Sequence, residues 1–348
     1  MVVRAGHAIG LEWEKRNKNL LKEHGIVIEE NQIKVSQKTL EEANNWQEMD
    51  KRKIEKAFQQ VREASPEAIK QHLKLDVKAY EDSKKTINIS NDDVCAKGQK
   101  SKRVALTNEQ KQERRKEQQR KGGRKNLKKS KYVYQNTTHF EFLNQQYHLV
   151  GSNLLAQLGD IIAFMLNNSG LDKNWVFYVD GQRTINECIK KRFWWKPIDM
   201  VLDWYHLNKR LSKQMYYSLK TCDQRDEVQR NLRDYLWYGL VDQAIDYIDQ
   251  IDPALIKNQK ELITLKGYFE RNRPYIKCYA LRKQLGLRLS SNRVEKTNDL
   301  LISERQKSKG ISFTRPGSYG LAILTCLKLN KEEVEWMKNR QIPFKFAA

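Results

Sequence analysis

Three acidic positions follow short apolar runs in this chain: Asp92 (doubled by Asp93) after TINISN, Asp180 after VFYV, and Asp203 after DMVL. An Asp after a strand is ordinarily a turn residue or a helix cap. Three in one region make a functional account equally good, because active groups in open α/β sheets gather at the carboxyl ends of strands. Carboxylate oxygens arriving from separate elements are what hard divalent cations need. Two such cations activate a water or hydroxyl and stabilise the leaving oxygen in phosphodiester chemistry. Asp180 is the strongest of the three, because its run is apolar on both faces and Gly181 permits close approach at the strand end.

The charge points to the same substrate. The 348 residues hold 65 Lys+Arg against 43 Asp+Glu, a net of +22, and an excess of that size favours a polyanion, most simply nucleic acid. Residues 111–131 carry eleven Lys/Arg against two Glu. They read either as a solvated charged linker or helix, or as an arm that tracks phosphates through Arg114, Arg115, Arg120, Arg124 and Lys125. The five cysteines are scattered singly, so neither a zinc ribbon nor a disulfide framework is supported. No stretch approaches the ~20 apolar residues of a membrane span, and the N-terminus lacks a secretory apolar region. The expectation is a cytoplasmic protein, associated with the nucleoid in a prokaryote, with no membrane partner.

The elements that must position these acids follow from periodicity. Residues 10–82 read as helical, with Ser65 as an N-cap before Pro66. A strand follows near 86. YVYQNTTHFEF and QQYHLVG form a hairpin through Leu143-Asn144, and NLLAQLGDIIAFMLNNSG forms a helix ending at Gly170. NWVFYVDG reads as a central strand, INECIKKRF as a helix and KPIDMVLDWYH as a strand leading into a helix. Residues 212–285 are helical throughout, and a further helix begins near 290 and stops at Lys309-Gly310. Strands joined through helices run parallel, so the fold class is α/β with a mixed sheet flanked by helices.

At this point the order of elements and the motifs resemble the RNase H-like core of DDE transposases, in the branch that holds Mutator-like elements and several bacterial insertion-sequence groups. The resemblance rests on ISN-Asp92-Asp93, YV-Asp180-Gly181, Asp203-Trp204-Tyr205-His206 for the family's C/D-x-x-H, and Ser290-Ser291-Asn292-Arg293-Val294-Glu295 for its G-S-G-x-V-E. Arg305-Gln306-Lys307 and Ile311-Ser312-Phe313 then stand near its R-x-K and M-x-W. It covers about residues 84–330. Asp92 and Asp180 are 88 residues apart, and Asp180 and Glu295 are 115 apart, room for an all-helical insertion. The departures are S-S-N for G-S-G, I-x-F for M-x-W, the doubled first acid and a long basic insert.

The resemblance implies a five-stranded RNase H-like sheet built from residues 84–211, with a basic insert at 97–131. It further implies an all-helical insertion at 212–287, the Glu295 helix within 288–330, a tail at 331–348, and a helical N-terminal region at 1–83 shorter than the family's end-binding part. It implies metal binding of two Mg²⁺ or Mn²⁺ ions by Asp92 (or Asp93), Asp180 and Glu295, with Asp92 preferred over Asp93. Asp203 and His206 complete the signature, and His206 reads equally well as a core histidine. Arg305 and Lys307 contact DNA, although regular helical phase keeps both from sharing the face of Glu295. The implied activity is DNA transposition, a form of DNA recombination: nicking at the ends of an insertion sequence and 3′-OH strand transfer into target DNA, on double-stranded DNA, by a homodimer or higher oligomer. A decayed or domesticated copy that only binds DNA, and a nuclease that cuts without joining, are the alternatives. Trp194 and Trp195 read as core or insertion contacts, and Asp199 as an acid off the motif.

Overall fold

The computed structural model describes residues 2–29, 32–99, 107–120, 132–307 and 310–346. The N-terminal region contains α1 (Val2–Glu23), a small hairpin of β1 (Ile26–Ile28) and β2 (Ile33–Val35), α2 (Gln37–Ala43), α3 (Lys51–Ala64) and α4 (Glu67–Lys70). The helical expectation for 10–82 holds for these four helices only: the two-stranded ribbon interrupts it, and after Lys70 the chain forms turns, two short 3-10 turns and a bridge between Glu48 and Glu81. Ser65 caps the end of α3, not the start of α4: its hydroxyl donates to the Arg62 carbonyl at 2.8 Å. Pro66 disfavours helical backbone at the residue before it, so Ser65 is extended and the chain stops there before restarting.

The sheet follows: β3 (Thr86–Lys97), then α5 (Asn108–Arg120), β4 (Tyr132–Phe142), β5 (Gln145–Gly151), α6 (Leu154–Asn167), β6 (Asn174–Val179), α7 (Arg183–Arg192) and β7 (Ile198–Leu202). The strands lie in the order β5-β4-β3-β6-β7. The expected hairpin is there, turning through Leu143 at positive φ, and β3, β6 and β7 run parallel as helix crossovers require. Every residue of β6 is buried, and each large apolar side chain so buried contributes about 1.5–3 kcal/mol. Helix α6 is capped by Asn168, followed by Ser169 in the left-handed region and the Gly170 N–H returning to the Met165 carbonyl at 2.7 Å, so Gly170 is neither the cap nor the left-handed residue.

Helices α8 (Trp204–Ser218), α9 (Cys222–Trp237), α10 (Val241–Asp249), α11 (Gln259–Asn272) and α12 (Tyr279–Gln284) fill the interval after β7. The chain then forms α13 (Asn292–Asn298), a π-turn (Asp299–Ser303), α14 (Glu304–Gln306), α15 (Arg315–Leu329) and α16 (Glu333–Asn339). Helix α15 crosses α1 at Gly6 and Gly320, where a Cβ on Gly6 would strike the Gly320 backbone. The tail is integrated into the fold as far as residue 346, because Phe344 is buried against Tyr147 and Phe164. Among the described residues no helix is long and apolar enough to cross a membrane.

One ion pair joins the N-terminal region, the sheet and the helical block. Arg282 of α12 and Glu81 are both fully buried and bonded through two N–H···O contacts of 3.0 and 2.6 Å. The guanidinium also donates to the Tyr178 hydroxyl of β6 at 3.0 Å and to the Arg288 carbonyl at 2.9 Å. Removing one partner strands a buried charge at a cost of about 3–5 kcal/mol. Arg282→Met is therefore expected to lower the urea midpoint steeply. The double variant Glu81→Gln/Arg282→Met should recover part of that loss. Strictly additive losses would show that the two groups are uncoupled.

Candidate active site

Register brings the three aspartates to one level. Ser90 of β3 pairs with Tyr178 of β6, and Val179 of β6 pairs with Leu202 of β7. Asp92 and Asp180 each stand two residues past the first pair, and Asp180 and Asp203 one residue past the second. Adjacent strands lie about 4.8 Å apart, so the backbones of the three acids form a row across the carboxyl edge of the parallel strands. Asp92 is not at the end of its strand, as the sequence suggested. The parallel pairing stops before it, but β3 continues against β4 to Lys97.

Strand alternation separates the doubled acid. Asp93 shares a face with Asn91, accepts from Asn136 at 2.8 Å and is exposed. Asp92 is on the other face, where the Asn298 amide of α13 donates to it at 2.6 Å and its own carboxylate accepts the Asp93 N–H at 2.8 Å. Burial, together with the negative charge of Asp180, pushes the Asp92 pKa up to about 6 against the partial relief of that N–H. Asp180 accepts the Gln182 N–H at 2.8 Å. Gly181 has φ +83, and a Cβ there would meet the Tyr268 ring and hydroxyl.

Asp203 is wholly buried and fully used. It caps α8 through the Tyr205 and His206 N–H groups at 2.7 and 3.1 Å, and it accepts from the backbone and hydroxyl of Ser291 just before α13. Burial would raise its pKa, but these donors and His206 hold it below the usual value. His206 stands between two acids, with Nδ1 3.6 Å from Asp203 and Nε2 3.5 Å from Glu295. Those are ion-pair separations, too long for good hydrogen bonds. The Asp203 carboxylate raises the His206 pKa, opposed by burial and aided by Asp180 and Glu295. Asp92, Asp180, Asp203, His206 and Glu295 thus form one electrostatic neighbourhood.

Helix α13 is held against β4 by a ladder that the sequence analysis passed over. One face of β4 carries four buried polar side chains, Gln135, Thr137, His139 and Glu141, and Asn136 and Thr138 are buried and polar on the other. Gln135 meets Gln306 and Ser318, and Thr137 donates to Asn298. His139 meets His148 at 3.3 Å, which in turn meets Thr297 at 3.3 Å. Glu141 pairs with Arg288 and, at 2.8 Å, with Arg293. The signal in the letters was an unbroken polar run, Q-N-T-T-H, inside an element that reads as a strand. Asn298, three residues after Glu295 and so on its helical face, was likewise missed.

Other expected contacts are not gathered here. Arg305 and Lys307 are exposed, and the π-turn, which takes more residues per turn than an α-helix, breaks the regular phase used to orient them. Arg114, Arg115 and Arg120 lie on α5, where Arg115 is exposed; Arg124 and Lys125 fall outside the described residues. Trp195 is a core residue beside Trp175, while Trp194 is exposed and donates to the Ile33 carbonyl. Asp199, off the motif, pairs with Lys277 at 2.8 Å, with both side chains largely buried. A cavity of about 770 Å³ between α1 and α6, lined by Trp13, Leu21, Ile28, Gly159 and Tyr319, contains none of the candidate residues.

Among the described residues no group of three or more His, Cys, Asp or Glu side chains stands ready to hold a metal ion. In kind, the donors suit a hard divalent cation: carboxylates from β3, the end of β6 and α13, with the Asp92 pKa raised chiefly by burial and further by the charge of Asp180. Compared with known proteins, the chain matches no family model, no curated protein and no solved structure.

Two pH effects follow. Asp92 has a folded pKa of about 6, above its ordinary 3.8, so the folded state binds the proton more tightly and stability falls as pH rises from about 4 to 6. Asp92→Asn should stabilise the protein at pH 7 by about 1–2 kcal/mol, allowing for partial exposure. The gain should vanish below pH 4 in thermal melts. His148 behaves oppositely. Burial and the neighbouring His139 push its pKa down to about 3, so its contribution is lost as pH falls from 6.5 towards 3. His148→Gln should flatten the acid limb of urea midpoint against pH; an unchanged slope would mean that His148 is protonated in the fold.

Proposed function

We propose that this chain is a DNA transposase with an RNase H-like catalytic core, cutting DNA at the ends of a mobile element and joining the freed 3′-OH to target DNA. The observation that carries the reading is the shared register level of Asp92, Asp180 and Asp203 beside the helix of Glu295. Bound Mg²⁺ or Mn²⁺, held by Asp92, Asp180 and Glu295, would activate the attacking oxygen and stabilise the leaving one. The remaining roles belong to the chain itself. Asn298 orients Asp92, the Gln182 N–H orients Asp180, and Asp203 ties the start of α8 to Ser291 so that Glu295 faces the acids. The neighbouring carboxylates favour the charged form of His206, which would offer a phosphate positive charge beside them. The net charge of +22 supplies the sequence-independent attraction for DNA, and the helical block α9–α12 is read as the insertion.

One feature favours a second reading, a DNA-binding descendant without catalysis: Asp92 is occupied by Asn298 and Glu295 faces His206. One assay separates the two. A labelled duplex carrying the DNA that flanks the reading frame is incubated with Mg²⁺ or Mn²⁺, and in parallel with chelator. Wild-type protein should nick it only with metal. Asp180→Asn and Glu295→Gln should bind the duplex normally yet lose nicking about a hundredfold or more, since a metal-holding carboxylate carries several kcal/mol of the barrier. Asp226→Asn, an exposed acid on α9, should be silent. Wild-type-like nicking by Asp180→Asn would overturn the assignment. A wild-type protein that binds DNA but never cuts it would favour the second reading.

A further inference from the structure

The outer face of α8 carries a pattern that the acid cluster does not use. The helix buries Leu207, Leu211, Gln214, Met215 and Ser218. At 100° per residue the opposite face presents Tyr205, Lys209, Lys213, Tyr216 and Tyr217 within about a third of a turn. All five are exposed, the tyrosines by 45%, 59% and 46%. Helix α8 contains no Asp or Glu. Single exposed aromatics need no explanation; three on one face interleaved with lysines form a surface that combines stacking planes and phosphate partners. The cations already lie over the rings: Lys209 Nζ is 5.5 Å from the centre of Tyr205, and the Arg225 guanidinium is 5.0 Å from that of Tyr216.

The direction of the face matters as much as its composition. Helix α8 begins at Asp203 and His206, inside the acid neighbourhood, and runs outward into the helical block. From Tyr205 to Tyr216 is roughly 16 Å at 1.5 Å per residue, the length of about five stacked nucleotides.

We propose that the outer face of α8 is a stacking track for an unpaired DNA strand that leaves the acid cluster, with Tyr205 and Tyr216 taking bases and Lys209 and Lys213 taking phosphates. Single strands are favoured over duplex because only unstacked bases offer their faces to a ring. The inference rests on the reading of the cluster as a DNA-processing site, and its test does not use cleavage.

Fluorescence anisotropy of a labelled oligo-dT strand and of a labelled duplex, at one salt concentration, reads the track directly. Tyr205→Leu/Tyr216→Leu should weaken oligo-dT binding about tenfold or more, the loss of one or two stacked bases, and leave duplex binding within about twofold. Tyr205→Phe/Tyr216→Phe, which keeps the rings, should bind as wild type and shows that loss in the Leu pair is not misfolding. Lys209→Gln/Lys213→Gln should reduce the salt dependence of oligo-dT binding, whereas the Leu pair should not. Wild-type binding of oligo-dT by the Leu pair would overturn the proposal. So would equal loss on both ligands, or a wild-type protein that ignores single strands. A protein that binds oligo-dT through these tyrosines but never nicks DNA would leave the track standing and remove the transposase reading.

Discussion

The arrangement depends on one constraint: a β-strand that buries polar side chains at alternate positions must have each of them satisfied. Gln135, Thr137, His139 and Glu141 of β4 face the segment from Arg288 to Gln306, and an unmade bond on a buried polar group costs about 1–3 kcal/mol. Three of them, Gln135, Thr137 and Glu141, bond to that segment directly, His139 reaches it only through His148, and along roughly 20 Å of strand these ties leave the segment one position. Sliding it by a turn would strand Glu141 from Arg288 and Arg293 and Thr137 from Asn298. An apolar face of the same shape would bind a helix more tolerantly. The position so fixed is the one that sets Asn298 against Asp92 and Glu295 beside His206.

Asp203 completes the clamp from the other side. Its carboxylate closes the start of α8 and receives the Ser291 N–H and hydroxyl, while the Trp204 N–H reaches the Leu289 carbonyl at 3.1 Å. The Arg282 guanidinium holds the Arg288 carbonyl and, through Glu81, the N-terminal region. The two residues that the signature pairs, Asp203 and His206, therefore differ in kind. Asp203 has no capacity left for a ligand, whereas Nδ1 of His206 is buried without a hydrogen-bond partner and its ring is partly open to solvent.

How much of this was legible follows from what each signal measures. Alternation and apolar density located every strand of the large sheet, because β6 and α6 are driven by burial and burial writes itself into composition. The parallel arrangement of β3, β6 and β7 followed from their helical connections. The small β1–β2 ribbon was hidden because three-residue strands carry too few positions to show a period. The continuation of β3 through Asp92 to Lys97 was hidden for another reason: charged residues read as a strand end, but β4 supplies backbone partners for six more residues. The β4 ladder was present in the letters Q-T-H-E at every second place, with Asn136 and Thr138 polar between them, yet so polar a strand usually marks a solvent face. Only the tertiary position of the 288–306 segment turns that face inward.

The π-turn at Asp299–Ser303 links these observations to function. It follows Asn298 directly, and Leu301 and Ile302 within it are fully buried with α15 residues such as Ala322 and Ile323. Two demands meet there. The stretch from Arg288 to Asn298 is held by the ladder and by Asp203, while Gln306 is fixed by Ser318 and Gln135 at the far end of β4. An unbroken α-helix has one twist and one rise per residue, so it cannot in general satisfy polar partners at both ends of a strand and also bury Leu301 and Ile302. Widening one turn adjusts the phase between the two ends at the cost of poorer hydrogen bonding. The fold accepts that local irregularity immediately beside Glu295 and Asn298, where the position of two side chains against Asp92 and His206 matters more than the regularity of the helix that carries them.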